Sequence, residues 1–436
     1  MDEGEYRMPS DVSEDAVSEQ PFDGIRVVEF GQFVAVPFAA QLLSEGGAEV
    51  IKIESLEGDP TRRLAQLAPM ESRIYLSRNR GKRSLPLHLR HDDAPAIIDA
   101  LLSRADVAMM NFRPGLAAQI GLDADTLREK YPRLVIATVT PFGRYGPDAG
   151  LAGMDIVVQA RSGLMVANGR QLDGRPMSGD PVSADYMAAM SLSFGIASAL
   201  LRRMKTGKGG EVHASLMQAS MTLNNNQMMR VESVDGPIHD ESRERLAGLR
   251  ERGAGYDDQR AAQPSARART MADIYFRTYT TADGWLAIAC GSRRLRALFI
   301  EAIGLSDPHA GDEVDSEDYY ANLQRSAKQR MAERTTSEWE ATLAQAGVPA
   351  SRVLLPFEIL DDPQAAANDM LYDLEHPQLG TVRTLAPPVA LDKSGFQQPS
   401  ATKPFASETR EILGELGFGE SEIDGLVESG VTRDAI

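Results

Sequence analysis

The sequence predicts an α/β fold built on an open parallel sheet. Three observations predict it. Strand-length apolar segments recur through the first half of the chain, helix-length segments separate them, and glycine or proline marks the junctions. Residues 25–30 (IRVVEF) read as the first strand. Pro37 can open the following helix, because its missing N–H costs nothing in a first turn. Phe38, Ala39, Leu42 and Leu43 carry that helix to a stop at Gly46-Gly47. Residues 50–53 are the second strand, which completes a βαβ unit and requires a parallel pair with a crossover helix. The pattern repeats with a helix at 94–103, a strand at 107–110, a helix at 123–130 and a strand at 134–139.

Residues 185–204 form a long apolar helix with basic residues in its last turn, where they suit the negative end of the dipole. Thr206 to Gly210 (TGKGG) breaks it, residues 211–216 are a strand, and a second helix spans 217–231. Residues 232–270 are polar, charged and poor in aromatics, and read as a linker or mobile loop. Strand-like patterning resumes over 275–289 around a Thr281-Ala282-Asp283-Gly284 turn. Helices follow at 293–303, 319–334 and 337–345, and residues 406–430 are helical again.

A chain of 436 residues is long enough for two or three domains with a sizeable core. Its 46 Lys and Arg against 63 Asp and Glu leave a net charge of −17, which disfavours nucleic acid and anionic membrane surfaces as partners. Cys290 is the single cysteine, so no intrachain disulfide and no multi-cysteine metal site can form. It lies in the apolar run 285–290 and reads as a buried small hydrophobe. The acidic N-terminal segment up to Gln20 has no apolar core and reads as a disordered tail rather than a secretory signal. Apolar runs fall short of the ~20 residues of a membrane span. Together these features predict a reduced, cytoplasmic location.

Familiar catalytic motifs are missing. No GxGxxG opens a helix after a strand, and no phosphate loop, GxSxG elbow or HExxH pair occurs. His88 and His91 sit in a polar turn and read as solvated. A carboxylate-based or a binding function remains. Arg78, Arg80, Lys82 and Arg83 form a local basic cluster, either an anion trap or a solvated turn. Asn111-Phe112-Arg113-Pro114-Gly115 follows a strand directly, the position where open α/β sheets bind ligands.

Further segments occur in a characteristic order: residues 47–54 (GAEVIKIE), Gly58-Asp59 with Arg62 or Arg63, 79–84 (NRGKRS), 105–107 (ADV), 111–115 (NFRPG), Asp155 with Gln159-Ala160, and Arg203 with Thr206-Gly207. Later come Asp283-Gly284-Trp285, Gly347-Val348-Pro349 and 412–417 (ILGELG). In these segments the chain resembles the family III CoA-transferases, a group that includes formyl-CoA transferases and the related α-methylacyl-CoA racemases. The resemblance runs from about Phe22 to the C-terminus.

The resemblance implies a large Rossmann-like open-sheet α/β domain with a smaller α+β domain, and an interlocked homodimer. With the tail and linker read from composition, the chain divides into a disordered acidic tail at 1–20, a large domain at 21–225, a linker or mobile loop at 226–270, a small domain at 271–365 and a return to the large domain at 366–436. Asp185 matches the catalytic aspartate, with Asp180 as a rival and helix capping as its bland alternative. In such transferases the aspartate attacks an acyl-CoA, forming a mixed anhydride and then an aspartyl-CoA thioester that a free carboxylate attacks. No metal is needed. The substrates implied are coenzyme A, as an acyl-CoA, and a free carboxylic acid. For CoA the resemblance points to Val34 and Ala35, to the stretch Leu87 to Arg90, and to Asn111, Phe112 and Arg113. Arg80, Lys82 and Arg83 are expected to bring charge toward the CoA phosphates. Val36 stands where the family usually has glycine, and Ser55 where arginine is frequent. Racemases carry histidine at the position of Met154, which cannot transfer a proton. Racemase activity and a non-catalytic CoA-thioester-binding role are the alternatives.

Overall fold

The computed structural model describes residues 19–264, 274–309, 316–392 and 395–435. The tail expected at 1–20 lies outside the described residues as far as residue 18. The chain divides into two compact units, Met1–Met228 with Ala367–Ile436, and Met229–Ala366.

The first unit is built on a parallel sheet of six strands: β1 (Arg26–Phe30), β2 (Glu49–Glu54), β3 (Arg83–Pro86), β4 (Val107–Met110), β5 (Val135–Thr140) and β6 (Gly210–Ser215). Their spatial order is β6-β5-β4-β1-β2-β3. Helices α1 (Ala35–Glu45), α2 (Arg73–Asn79), α3 (Ala94–Leu102), α4 (Ala124–Lys130), α5 (Asp155–Arg161), α6 (Ser183–Thr206) and α7 (Leu216–Leu223) belong to the same unit. Side chains alternate across a strand, so neighbouring residues serve opposite layers. Val27, Val50, Val107 and Val135 pack with α1, α6 and α7. Val28, Ile53, Ala108 and Ile136 pack with α3, α4 and the returning C-terminal residues Ile412, Leu413 and Ile423.

Helix α6 begins at Ser183, two residues before the expected start, so Asp185 lies inside its first turn and not at its cap. The helix is long and apolar enough, by length and composition, to cross a membrane, contrary to the expectation of short runs only. Serines 191, 193 and 198 interrupt its apolar pattern in the sequence. In the helix each hydroxyl donates to the carbonyl one turn back, on Met187, Ala189 and Phe194, so these serines do not break it. Ala184, Ala188, Leu192 and Ile196 bury one face in the core.

The second unit holds an antiparallel sheet, β7 (Phe276–Thr280), β8 (Trp285–Ala289) and β9 (Ala350–Arg352), with β8 central. Tyr275, Tyr279, Phe299 and Trp339 fill its core together with Cys290. Residues 232–251, expected within a linker, are instead helix α8 (Glu232–Glu251). Hydrophobic periodicity is absent because among its residues only Gly236 is buried. Acidic Glu232 and Asp235 in the first turn, Arg250 in the last and an Asp240–Arg243 pair at 2.8 Å support it instead. Residues 265–270 of the expected linker lie outside the described residues.

A buried charge cluster fixes the turn between β1 and α1. Glu29, Lys52 and Lys82 are each at most 5% exposed. Lys52 Nζ donates to Glu29 Oε1 at 2.9 Å and to the Gly31 carbonyl at 2.8 Å. Lys82 Nζ donates to Glu29 Oε2 at 2.7 Å, to the Pro37 carbonyl at 2.7 Å and to Asn79 Oδ1 at 2.9 Å. One carboxylate thus anchors two ammonium groups, and these hold both ends of the turn and the last residue of α2. Asp59 also lies 3.1 Å from Lys52 Nζ. Lys52→Met leaves Asp59 and one oxygen of Glu29 buried without a cation, and should cost about 3–5 kcal/mol. Urea unfolding reads this as a large fall in midpoint at unchanged slope. A loss below about 1 kcal/mol would show that the cluster does not hold the turn.

Candidate active site

The strand order reverses between β1 and β4, where the loops leaving the carboxyl ends of the two strands part and open a crevice. A cavity of about 450 Å³ lies there. Phe30 and Gln32 line it from β1, Ile53 and Ser55 from β2, Leu87 and Arg90 from β3, and Phe112 and Leu116 from β4. Asn111 ties the two loops together. Its amide donates to the Gln32 carbonyl at 2.9 Å, and its Oδ1 accepts the Gln32 N–H at 2.9 Å. Phe33 sits between the two lysine straps with φ +67°, a strained conformation for a residue with a side chain. Val36, one turn on, is fully buried. A Cβ on Gly31 would lie 2.3 Å from Val36 Cγ1, so glycine at 31 is what admits valine at 36.

The start of α6 packs against α1. Val182 precedes the helix without a side-chain cap, and the cap comes instead from Asp155 in another helix. Asp155 Oδ1, at the start of α5, accepts the N–H groups of Ala184 at 2.8 Å and Asp185 at 3.1 Å. Gln159 donates to the other oxygen of Asp155. The Asp185 side chain accepts no hydrogen bond among the described residues. Burial pushes its carboxyl up to about 7, the neighbouring Asp155 charge adds to that rise, and Arg78 opposes it. Arg78 Nε and Nη2 donate to Tyr186 Oη at 3.3 and 3.2 Å. The Tyr186 ring meets Phe38 of α1 edge-on, with centroids 4.9 Å apart. Gln32 faces the cavity and Phe38 faces the α6 start, so the first turn of α1 links the two places.

The sequence-predicted residues separate into two groups. Leu87, Arg90 and Phe112 line the cavity, and Asn111, Val34 and Ala35 build the loops beside it, with Arg113 exposed just beyond. Arg80, Lys82 and Arg83, expected to serve CoA phosphates, are turned away from it. Arg80 is buried against Glu45 and Thr384, and Lys82 against Glu29. Arg83 meets Glu49, Glu411 and Glu415, at the opposite end of its strand from the cavity. Strand β3 begins at Arg83, so its side chain reaches the wrong edge of the sheet. Asp180 is 88% exposed in its side chain and lies near Arg170. Cys290 is buried and its thiol is pushed up to about 11, which keeps it protonated. Sequence reading missed the Glu29–Lys52–Lys82 cluster. The signal available was charge inside strands (Glu29, Lys52, Glu54) whose neighbours are apolar on both faces.

The sequence profile of CoA-transferase family III matches residues 22–408. The chain is 30% identical over 423 residues to the cinnamoyl-CoA:phenyllactate CoA-transferase of Clostridium sporogenes, covering 93% of this chain and 95% of that protein. It is 26% identical over 427 residues to the succinyl-CoA:glutarate CoA-transferase of Mus musculus, covering 96% and 91%. The crystal structure of Rv3272 from Mycobacterium tuberculosis superimposes with a TM-score of 0.73 at 25% identity, over 90% of this chain and 99% of that one.

The raised Asp185 carboxyl makes a stability prediction. Unfolded, the group ionises near its ordinary 3.8, and folded near 7. Between those values the unfolded chain is charged and the folded chain still holds the proton, so stability falls as pH rises through that window. Asparagine does not ionise. Asp185→Asn should therefore unfold at a higher temperature than the parent at pH 8, by up to about 4 kcal/mol in stability. The gap should close toward pH 4. Equal melting temperatures at pH 8 would show that this carboxylate is not destabilised by its surroundings.

Proposed function

The chain belongs to CoA-transferase family III and is a CoA-transferase, and on that premise we propose that it transfers CoA between carboxylic acids through a covalent intermediate on Asp185. The observation that carries this reading is a carboxylate held on the first turn of α6, without a hydrogen-bond partner among the described residues and with its pKa raised to about 7. A carboxylate of that basicity is a better nucleophile than an ordinary one and is still half ionised at neutral pH. Asp155 serves it twice. Its charge adds to the raised pKa, and its hydrogen bonds to the N–H groups of Ala184 and Asp185 hold the backbone that carries the nucleophile.

The steps balance without an external proton donor. An oxygen of Asp185 attacks the donor acyl carbon, the carbon–sulfur bond breaks, and CoA leaves as thiolate from a mixed anhydride. The thiolate attacks the aspartyl carbonyl and releases the donor acid as a carboxylate. The acceptor carboxylate then attacks the aspartyl-CoA thioester, giving a second mixed anhydride and thiolate again. Attack of that thiolate on the acceptor acyl carbon yields the new acyl-CoA and frees Asp185. The cavity beside β1 and β4 is the candidate seat for CoA, with Leu87, Arg90 and Phe112 on its walls. Racemization would need a base at Met154, an exposed thioether.

Incubation with a panel of acyl-CoAs, including cinnamoyl-CoA and succinyl-CoA, followed by hydroxylamine and mass spectrometry, tests the intermediate. A hydroxamate at Asp185, and its loss together with CoA exchange in Asp185→Ala, are the expected results. No adduct with any donor would favour a non-catalytic CoA-thioester-binding role. Deuterium exchange at the α-carbon without CoA transfer would favour a racemase.

We further propose that the protein is a homodimer. Met190, Phe194, Leu201 and Met204 of α6 are exposed, with Phe194 at 77% and Met204 at 83%. A second copy would remove this apolar surface from water. Light scattering should give twice the 47.4 kDa of one chain. A monomer at micromolar concentration would contradict the proposal.

A further inference from the structure

The run from Arg78 to Arg83 contains four cations, and three of them are matched by carboxylates of the protein: Arg80 by Glu45, Lys82 by Glu29, and Arg83 by Glu49, Glu411 and Glu415. Arg78 differs. It is half-buried and makes no ion pair among the described residues. Its guanidinium is nevertheless held firmly. Nε and Nη2 donate to Tyr186 Oη, Nη1 donates to the Ile74 carbonyl at 3.2 Å, and its carbon lies 5.5 Å from the centre of the Tyr186 ring. Phe38 packs edge-on against that ring. These contacts leave one N–H on each terminal nitrogen, the two-point fork that matches a carboxylate.

Tyr186, which holds this guanidinium, follows Asp185 directly in the first turn of α6; the Arg78 charge acts on that carboxylate, and no Arg78–Asp185 ion pair forms among the described residues. A transferase of this kind must bring a carboxylate anion past the Asp155 charge to the aspartyl-CoA thioester, and its attack there releases a thiolate into the same site. Repulsion among these groups disfavours the approach, and a preorganised, unmatched cation offsets it. We propose that Arg78 binds a carboxylate of the acid substrate and thereby selects acceptors. The proposal rests on Asp185 being the nucleophile. The carboxylate has two possible sources: the reacting group of any acid, or the distal group of a dicarboxylic acid.

The experiment compares Arg78→Met and Arg78→Lys with the parent. Each protein is first loaded with the monocarboxylic acyl-CoA that acylates Asp185 most fully, and the label on Asp185 is read by mass spectrometry. Turnover with pentanoate and with glutarate as acceptors then gives kcat and KM for each acid. Arg78→Met should still acquire the label while the acceptor KM rises about tenfold or more with a smaller change in kcat. Arg78→Lys, which keeps the charge and loses the fork, should fall between the two. A rise for both acids assigns Arg78 to the reacting carboxylate, and a rise for glutarate alone assigns it to the distal one.

Unchanged KM for both acids overturns the proposal, as does a parent enzyme that neither acid discharges. A rise in the KM of the acyl-CoA donor alone would assign Arg78 to the CoA phosphates and also overturn it. Failure of the parent to label at Asp185 is a different result, because it removes the nucleophile reading itself. If Arg78→Met melts well below the parent, Arg78→Lys carries the comparison.

Discussion

The buried Glu29 carboxylate is the constraint on which the site depends. It sits on the central strand and takes one lysine on each oxygen, Lys52 from the neighbouring strand and Lys82 from the turn ahead of β3. Each lysine spends further N–H groups on the backbone of the β1–α1 turn, at Gly31 and Pro37. Buried ion pairs are poor sources of net stability, because desolvation offsets most of the attraction. Their value here is positional. They hold Phe33 in a conformation that a side chain resists, and they place Gln32 at the cavity and Phe38 against Tyr186. The same Lys82 reaches Asn79, the last residue of α2, and so steadies the segment that carries Arg78.

A second cluster surrounds Glu54, which lines the cavity. Arg62 meets both oxygens of Glu54 at 2.8 Å and Glu71 at 3.1 Å. Glu54 also accepts from Ser84 and from the Asp59 N–H, and together these contacts hold its carboxyl down at about 2 despite complete burial. Glu54 lines the cavity, yet its charge is fully matched from behind. Glu54 therefore adds little free negative charge to the cavity wall, although the chain as a whole carries −17. Global charge describes which large surfaces the protein avoids. Local pairing decides what a small anion meets.

Much of the fold was legible because the sheet is buried on both faces. Residues 107–110 and 135–140 are continuous apolar or β-branched runs, the pattern of parallel strands covered on both faces. Helix α8 was not legible, since its residues face solvent almost throughout and leave no apolar period to detect. In the site, Asp185 and the Asn111 to Arg113 turn could be found through their place in an ordered set of motifs. Arg80, Lys82 and Arg83 could not be sorted from Arg78, because the six-residue run has one composition and its cations point to different partners. Strand direction and the turn at Gly81 separate them.

The sequence by itself determined the α/β alternation, the family and the position of the aspartate in the first turn of α6. Those features are written in local periodicity and in collinear motifs, which need no knowledge of distant contacts. Only the tertiary structure decided which charges are free. Arg83 and Glu415 are 332 residues apart and bond at 2.7 Å, while Asp155 caps a helix that begins twenty-eight positions later. Whether a cation serves the fold or awaits a ligand depends on such long-range neighbours, because a charge is neutralised through space and not along the chain.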